Sequence, residues 1–237
     1  AFINLTNLLN AHGIDAIFYG PHDWHLDKCR SAKAADLDIS NEEDALVAHY
    51  VPLREKKFPL RKVIFSCHET NLFPLKNYCF SAVDMVHFVS DWQKEWHGID
   101  KPPSTVIPNI VKVGKRKGTH KRGAVGIIGS IDDHKQPALA IEEALRVEPK
   151  GVKIFLFGDV SDEDYYQEHV KPLMRKNKRV KIVGKYDDKT VMYNMVDAVY
   201  HASKAETYGL VKHECEMHGI PFNDMFETSQ HSECWSE

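Results

Sequence analysis

The sequence lacks the cysteine pattern of a disulfide-bonded or zinc-binding protein. Its 237 residues include five cysteines, an odd number, and no two of them form a Cys-x-x-Cys pair. Scattered cysteines are typical of reduced thiols, so we expect a cytoplasmic protein. Two groups of potential metal ligands, His22-Asp23-Trp24-His25 and His231 to Cys234, fit no standard zinc spacing. We therefore expect no metal site.

Long apolar runs and a strong charge of one sign are also missing. No apolar segment approaches the roughly 20 residues that cross a bilayer, and no signal peptide is recognisable. The net charge of −3 does not favour a nucleic-acid-binding protein. Basic residues cluster at Lys112 to Arg122 and at Lys171 to Lys181. Two interpretations of these clusters stay open: a solvated surface, or an electropositive patch that attracts anionic substrates or lipid head groups in a peripheral membrane contact.

Strands and helices alternate along the first half of the chain. The apolar positions from Phe2 to Leu9 recur at helical spacing, and Gly13 supplies a stop. Ser90 can cap a helix that carries Trp92 and Trp96. Compact apolar segments predict four strands, at residues 15–19, 63–66, 85–89 and 104–107. This alternation is typical of a parallel sheet.

The second half of the chain repeats this alternation after a basic segment without apolar periodicity. That segment, Val111 to Arg122, contains two glycines and predicts a linker between domains. The sequence therefore predicts two Rossmann-like α/β domains with parallel sheets, at residues 1–112 and 113–237. In the second domain we expect strands at residues 124–128, 152–157, 180–183 and 198–201, and helices at residues 137–147, 164–176, 189–195 and 208–218.

A pair of carboxylates near the C-terminus suggests a ligand. Glu206 and Glu214 are eight positions apart, with Gly209 between them. If a helix begins near Tyr208, Glu206 precedes its first turn and Glu214 lies about two turns in, roughly 12 Å along the axis. The amides of a first helical turn can dock an anion. The layout suits a nucleotide sugar, with phosphate on the amides, ribose on Glu214 and the sugar beside Glu206.

Two other loops of the second half follow predicted strands, and ligands of open α/β sheets bind beyond the carboxyl ends of strands. Lys135, at a helix entrance, is well placed for a diphosphate or is an ordinary exposed lysine. Gly158 lets the backbone approach a base or ribose, or it simply ends a strand. Both alternatives stay open for each residue.

Together these motifs strongly resemble the donor-binding signature of the retaining glycosyltransferases of family 4. The signature consists of a strand ending in Tyr200-His201-Ala202-Ser203, the two glutamates around an aromatic-Gly pair, and a following Gly219-Ile220-Pro221. The resemblance covers most of residues 60 to 222. Its further matches are Val89-Ser90, Val106-Ile107-Pro108-Asn109, Val180-Lys181-Ile182-Val183-Gly184, Met192-Tyr193, Asp197-Ala198-Val199 and Ser203.

The resemblance implies a GT-B fold, in which two Rossmann-like domains face each other across a cleft. Residues 1–112 would serve the acceptor and residues 113–237 the nucleotide-sugar donor. The implied activity is retaining transfer of a hexose, from a UDP- or GDP-sugar most readily, to a hydroxyl of a glycan, lipid or small molecule. The implied enzyme needs no metal ion or other cofactor, because cationic side chains and helix amides stabilise the leaving diphosphate.

The resemblance also implies a role for each matching residue. Glu214 would hold the ribose hydroxyls, Glu206 would orient the donor sugar, and Lys135 would neutralise the diphosphate. His68 would lie near the reacting sugar; without the resemblance, a strand-end histidine is more often structural. The remaining implied nucleotide contacts come from Gly129, Ser130 and Gly158, and from the backbone of Thr207, Tyr208, Gly209 and Leu210.

The chain departs from the family pattern at three places. Ser130 stands where the family usually has an arginine, and the usual opening strand and glycine-rich loop do not precede Ala1. The pattern is also lost after Phe222, so we expect a truncated or minimal member. Two alternatives stay open: a nucleotide-sugar hydrolase or epimerase of the same fold, and a binding protein whose transferase site has decayed. An NAD enzyme is disfavoured, because no Gly-x-Gly-x-x-Gly follows a predicted strand.

Overall fold

A computed structural model describes residues 2–20, 29–33, 36–38, 40–48, 60–68, 80–111, 114, 123–186 and 188–226. Contacts within the chain divide it into two compact units, Ala1–Ile110 and Val111–Glu237. Both units are built from parallel strands and helices, which confirms the predicted α/β class.

The described residues of the first unit form two parallel sheets. Its opening helix α1 (Phe2–Ala11) is confirmed, and Gly13 follows it with a positive φ of 76°. One sheet pairs β1 (Phe18–Gly20) with β2 (Ser31–Lys33). The other sheet has four strands that lie side by side in chain order: β3 (Ala45–Ala48), β4 (Lys62–Cys67), β5 (Met85–Phe88) and β6 (Ser104–Val106). The sequence analysis missed β2 and β3, which are short and only partly buried.

The helix α2 (Asp91–His97) of the first unit begins where the sequence predicts. Ser90 is its N-cap, and its Oγ accepts a hydrogen bond of 3.2 Å from the amide of Gln93. Gly98 closes the helix in the left-handed conformation. These caps hold α2 directly after β5, whose Val86 and Phe88 are fully buried in the core of this unit.

The second unit is a single five-stranded parallel sheet with helices between its strands. The strands are β7 (Ala124–Ile128), β8 (Lys153–Phe157), β9 (Val180–Ile182), β10 (Ala198–His201) and β11 (Phe222–Asp224). The helices are α3 (Pro137–Val147), α4 (Glu163–Tyr165), α5 (Lys171–Lys176), α6 (Lys189–Asn194) and α7 (Leu210–His218), and a π-helical turn, Tyr166–Val170, joins α4 to α5.

The strands of this sheet lie in the order β11-β10-β7-β8-β9. From β7 the chain builds the sheet outward through β8 and β9, and it then returns to the other side of β7 to add β10 and β11. This is the doubly wound order, in which the direction of winding reverses between β7 and β10. The loops that leave β7 and β10 therefore diverge, and the gap beyond their carboxyl ends is the expected ligand site of such a sheet.

Helices cover both faces of the second sheet. Alternate strand residues point to opposite faces, so Ile154 and Leu156 belong to a core cluster under α3, whereas Phe155 and Phe157 pack with residues of α6 and α7. Burial on both faces explains why these strands are continuous apolar runs rather than alternating ones.

Three local features of the second unit differ from the sequence predictions. Helix α7 begins at Leu210 rather than near Tyr208, because Gly209 adopts a left-handed conformation with φ 65°, which a right-handed helix excludes. The predicted helix 164–176 contains the π-helical turn. Pro172 explains that turn, since it lacks an amide hydrogen and its ring crowds the preceding turn. The strand β11 was not predicted, although it pairs in parallel with β10.

Candidate functional site

Two loops of the second unit meet beyond the switch point between β7 and β10. The amide of Lys204 donates a hydrogen bond of 2.9 Å to the carbonyl of His134, which ties the loop after β10 to the loop after β7. Ser203 Oγ donates to the carbonyl of Ala205 (3.0 Å) and so shapes the loop just before Glu206. The two loops therefore have a defined relation at the place where a ligand is expected.

Lys135 and Glu206 form an ion pair across these two loops. Lys135 Nζ donates to Glu206 Oε1, although the two residues are 71 positions apart in the sequence. Their side chains are 26% and 30% exposed, so a ligand at the switch point can reach both groups. The structure thus brings together the two residues to which the sequence analysis assigned the diphosphate and the donor sugar.

His201 is a third member of this site, and the sequence analysis did not assign it a role. It is the last residue of β10, its side chain is 7% exposed, and its Nε2 lies 3.3 Å from Glu206 Oε1. Its ring packs against Phe222 of β11, with 5.3 Å between the ring centroids. The available signal was a histidine in an otherwise apolar strand of a buried sheet.

The electrostatic state of Glu206 follows from these neighbours. Burial raises the pKa of its carboxyl, but the hydrogen bond to His201 and the charge of Lys135 outweigh burial and lower the pKa to about 2. Glu206 is therefore a firmly ionised carboxylate, which can accept hydrogen bonds but cannot supply a proton near neutral pH.

Asp132 organises the loop that carries Lys135. Its Oδ2 accepts hydrogen bonds from the hydroxyls of Ser130 and Ser161, and its Oδ1 accepts one of 2.8 Å from the amide of Lys135. Burial raises the pKa of Asp132, but these three hydrogen bonds lower it below its usual value. Ser130, the residue in place of the usual arginine, is thus part of the loop's internal hydrogen bonding and brings no positive charge.

Gly158 is required by a close approach of two loops. A Cβ atom at this position would lie 1.9 Å from the carbonyl oxygen of Gly129, and its φ of 155° is unfavourable for other residues. Ile131 and Val160 form a parallel bridge just beyond this contact. Backbone packing between the loops after β7 and β8 therefore accounts for Gly158. At Gly129 a Cβ would make an ordinary contact of 3.5 Å with the side chain of Lys135, but the φ of 147° is unfavourable for other residues.

The residues predicted to meet phosphate lie at the start of α7. Thr207 and Tyr208 belong to the loop, Gly209 is the N-cap, and Leu210 is the first helical residue. Because Gly209 has no side chain, the N-cap residue makes no side-chain hydrogen bond to the first backbone amides of α7. The ring of Tyr208 stacks on His213 at 4.4 Å, which holds the loop against the helix.

Glu214 lies in the second turn of α7 and is 4% exposed. Its Oε2 accepts a hydrogen bond of 2.7 Å from the hydroxyl of Tyr193, and its Oε1 accepts one from Lys189 Nζ. Burial and the charge of Glu214 together raise the pKa of the Tyr193 hydroxyl, which stays protonated. The sequence analysis did not foresee that these two residues of α6 would hold Glu214.

His68 belongs to the first unit, where it directly follows β4 and is half-buried. Its Nε2 lies 3.0 Å from Ser66 Oγ, and its ring meets that of His87 edge to face at 6.0 Å. His68 lies at the end of a strand, as predicted. Its role at a reacting sugar stays a prediction.

Several other predictions concern metals and membranes. Within the described ranges, no three His, Cys, Asp or Glu side chains are grouped to hold a metal ion, and no helix is long and apolar enough to cross a bilayer. Both His-containing groups considered as metal ligands lie outside those ranges, as does most of the basic segment before residue 123. The cytoplasmic setting and a peripheral membrane contact stay predictions.

Comparison with known proteins relates the chain to glycosyltransferases by structure. No family model matches it, and no curated protein matches it. A glycosyltransferase from Rickettsia africae aligns with a TM-score of 0.69 and 15% identity, covering 94% of this chain and 74% of that chain. The lipopolysaccharide outer core galactosyltransferase WaaB aligns with a TM-score of 0.58 and 16% identity, covering 94% and 75%. The chain has the α/β fold of GT-B glycosyltransferases.

Other solved structures match a smaller part of the chain. HepE from Anabaena, in a complex with UDP and glucose, aligns with a TM-score of 0.58 and 20% identity over 69% of this chain. TarM aligns with a TM-score of 0.55 and 18% identity, also over 69%. The chain spans 52% of the length of HepE and 36% of the length of TarM.

Proposed function

We propose that the chain is a retaining glycosyltransferase that moves a hexose from a nucleotide diphosphate sugar to a hydroxyl of a glycan, lipid or small molecule. The observation that carries this proposal is the meeting of Lys135, His201 and Glu206 beyond the switch point of a doubly wound sheet. A cation beside an ionised carboxylate suits a ligand with a diphosphate and a sugar. The complex of the similarly folded HepE with UDP and glucose supports this substrate class.

The proposed first step is a change of partner for Lys135. A diphosphate carries more negative charge than one carboxylate, so Lys135 Nζ moves from Glu206 to the diphosphate when the donor binds. His201 remains 3.3 Å from Glu206 and keeps that carboxylate in place. The backbone amides at the start of α7 add hydrogen bonds to the phosphate. Glu206 then accepts hydrogen bonds from hydroxyls of the donor sugar.

The proposed chemistry follows from this arrangement. The bond between the anomeric carbon and the phosphate oxygen breaks with its electron pair on the phosphate, where Lys135 and the helix amides stabilise the charge. The acceptor hydroxyl attacks the oxocarbenium-like sugar on the face that the phosphate leaves, and its proton passes to the leaving phosphate. Glu206 stays ionised throughout and stabilises the positive sugar. The proposal requires no metal ion, since the side chain and the amides neutralise the diphosphate.

Glu214 is proposed to bind the ribose of the nucleotide. Lys189 is 52% exposed, so its ammonium can turn from Oε1 to solvent, and a ribose hydroxyl then takes its place on the buried carboxylate. Tyr193 is fully buried and keeps its hydrogen bond to Oε2. Oε1 is then the oxygen that accepts a hydrogen bond from a ribose hydroxyl. The first unit is proposed to bind the acceptor, and His68 to act near the reacting sugar.

A screen of nucleotide sugars tests the proposal. We expect UDP- or GDP-sugars to raise the melting temperature of the protein and to bind in calorimetry. With the best donor and a panel of hydroxyl acceptors, NMR of the product should show the anomeric configuration of the donor. An inverted product would contradict the retaining mechanism, and absence of nucleotide binding would contradict the function as a whole.

A second candidate function is a protein that binds nucleotide sugars without transferring the sugar. Ser130 favours it, because a hydroxyl bound to Asp132 replaces a cationic side chain at the diphosphate site. Donor binding without any product from the acceptor panel would support this candidate. Release of free sugar without an acceptor would instead indicate a hydrolase.

A further inference from the structure

A basic groove lies at the amino ends of two strands of the second unit. It has a volume of about 720 Å³ and is lined by the end of α3, by the residues that follow α3 as far as Lys150, and by residues 176–179. These segments precede β8 and β9. Since β8 has five residues and is about 16 Å long, the groove is at the opposite end of the sheet from Lys135 and Glu206, which follow β7 and β10.

Hydrogen bonds from Arg179 hold the two walls of the groove together. Its guanidinium donates to the carbonyl oxygen of Leu145 at 2.9 Å and to that of Pro149 at 2.7 Å. It also donates to the carbonyl oxygen of Glu148 at 3.2 Å. These carbonyls lie at or just beyond the C-terminal end of α3, where the helix dipole is negative and would repel an anion. Arg179 therefore fixes the groove and offsets the negative end of the helix.

Positive charge dominates the lining of the groove. Five lining side chains are cationic, and one, that of Glu148, is anionic. Glu148 Oε1 accepts a hydrogen bond of 2.8 Å from the hydroxyl of Tyr200. Arg146 forms an ion pair with Glu143 on the same helix, and Arg179 donates to the carbonyls of the wall. Two of the five cations therefore have their own partners.

The other three cations of the groove are lysines, Lys150, Lys176 and Lys178, and all three are exposed. Within the part of the chain that the structure describes, none of them forms an ion pair with a carboxylate. Like charges around one groove repel each other, and a bound anion relieves this repulsion. Because the walls are already held in place, such an anion binds without the cost of ordering them.

We propose that this groove binds a ligand that carries two or more phosphate groups, either free in solution or on a lipid head group. One phosphate monoester carries a charge of about −1.5 to −2 at pH 7, so three ammonium groups balance about two phosphates. Lysine binds phosphate as a point charge, which suits side chains that come from two different segments. The volume lies within the range of small-molecule sites, about 300–1,000 Å³. The inference does not depend on the proposed function, because the proposed donor site is at the other end of the sheet.

Calorimetry of the full chain with inorganic tripolyphosphate tests the site. We expect saturable binding, and the dissociation constant should rise about tenfold or more when Lys150→Gln and Lys178→Gln are combined, since two charge-assisted contacts are lost. The matched control combines Lys185→Gln and Lys204→Gln, which remove the same charge from exposed positions after β9 and β10. In this control the dissociation constant should change less than about twofold, because charges far from the groove are screened by salt.

A third variant separates the groove from the proposed donor site. Lys135→Met removes the cation of that site, and we expect it to leave the affinity for tripolyphosphate in the groove unchanged. Loss of the binding in Lys135→Met, with no loss when Lys150 and Lys178 are replaced, would place the anion at the switch point and overturn the proposal. An equal loss in the two double variants would overturn it as well, since it would reflect the general surface charge.

Vesicles distinguish the two sources of the phosphate groups. The protein is sedimented with phosphatidylcholine vesicles, with and without a phosphatidylinositol phosphate, whose head group carries a phosphodiester and a phosphomonoester. Sedimentation that requires this lipid and is lost when Lys150→Gln and Lys178→Gln are combined identifies a lipid head group as the ligand. Binding of tripolyphosphate without sedimentation identifies a free ligand. If neither probe binds, the proposal is wrong.

Discussion

His201 Nε2 lies 3.3 Å from Glu206 Oε1, at the carboxyl end of the strand that borders the switch point of the second sheet. This contact gives Glu206 a second partner, which would stay in place if Lys135 turned to a diphosphate as proposed. In His201→Leu we expect the pKa of Glu206 to rise by about 1, because a hydrogen bond to a charged group contributes about 1.5–3 kcal/mol. A ¹³C NMR titration of labelled glutamate measures it. His201→Gln keeps an N–H donor, so the pKa of Glu206 should stay close to its wild-type value in this variant. An unaltered titration in His201→Leu would contradict the contact.

Lys135 is expected to matter for turnover far more than for stability. If Lys135 neutralises the leaving diphosphate as proposed, Lys135→Met removes that charge, and we expect kcat to fall about 100-fold or more. The free energy of unfolding should change by less than about 1 kcal/mol, since the ion pair with Glu206 is partly exposed. Lys204→Met is the matched control, because Lys204 pairs with Asp133 on the same two loops. A similar loss of kcat in both variants would argue against a specific role for Lys135.

The lowered pKa of Glu206 predicts a loss of stability in acid. Its folded pKa of about 2 lies below the ordinary value of 4.5, so ionised Glu206 stabilises the fold above about pH 5. This contribution, about 2 kcal/mol after allowance for partial exposure, is lost as pH falls towards 2. Urea unfolding at several pH values gives the free energy of unfolding of wild type and of Glu206→Gln. The difference between the two free energies should shrink as the pH falls from about 5 towards 2. A difference that does not vary with pH would refute the prediction; Glu142→Gln, on the exposed face of α3, is the control.

The proposed ribose role of Glu214 can be separated from its structural role. In Glu214→Gln we expect nucleotide affinity to fall about tenfold or more, since a charge-assisted hydrogen bond to ribose is lost. In Tyr193→Phe the free energy of unfolding should fall by about 1–2 kcal/mol while affinity changes only a few-fold. Calorimetry and urea unfolding measure the two quantities. Equal affinity losses in both variants would mean that Glu214 acts by holding α6 against α7.

Gly158 should tolerate no side chain. In Gly158→Ala the added Cβ would meet the carbonyl oxygen of Gly129 at 1.9 Å, and its φ of 155° adds strain. We expect a loss of at least about 2 kcal/mol, or a melting temperature lower by about 4 °C or more. Gly151→Ala is the control, because a Cβ there meets nothing within 4 Å and the change should be neutral or slightly stabilising. Equal melting temperatures of wild type and Gly158→Ala would show that the loops after β7 and β8 can move apart without loss of stability.

The sequence by itself determined the class of the fold and most elements of the second unit, although not β11. The bounds of β7, α3 and β10 agree with those predicted from apolar runs and a helix-starting proline. Such signals are local, because a few consecutive side chains record which faces of a strand or helix are buried. The departures at Gly209 and Pro172 arise where backbone geometry overrides side-chain periodicity.

Only the tertiary structure decided which residues meet. The order β11-β10-β7-β8-β9 places Lys135 beside Glu206 and adds His201 to them. The approach of Gly158 to Gly129 likewise depends on neighbouring strands. Apolar periodicity shows that a strand is buried but not which strand lies next to it, since that choice depends on the packing of distant segments. The partners of each charged group therefore became visible only in the folded chain.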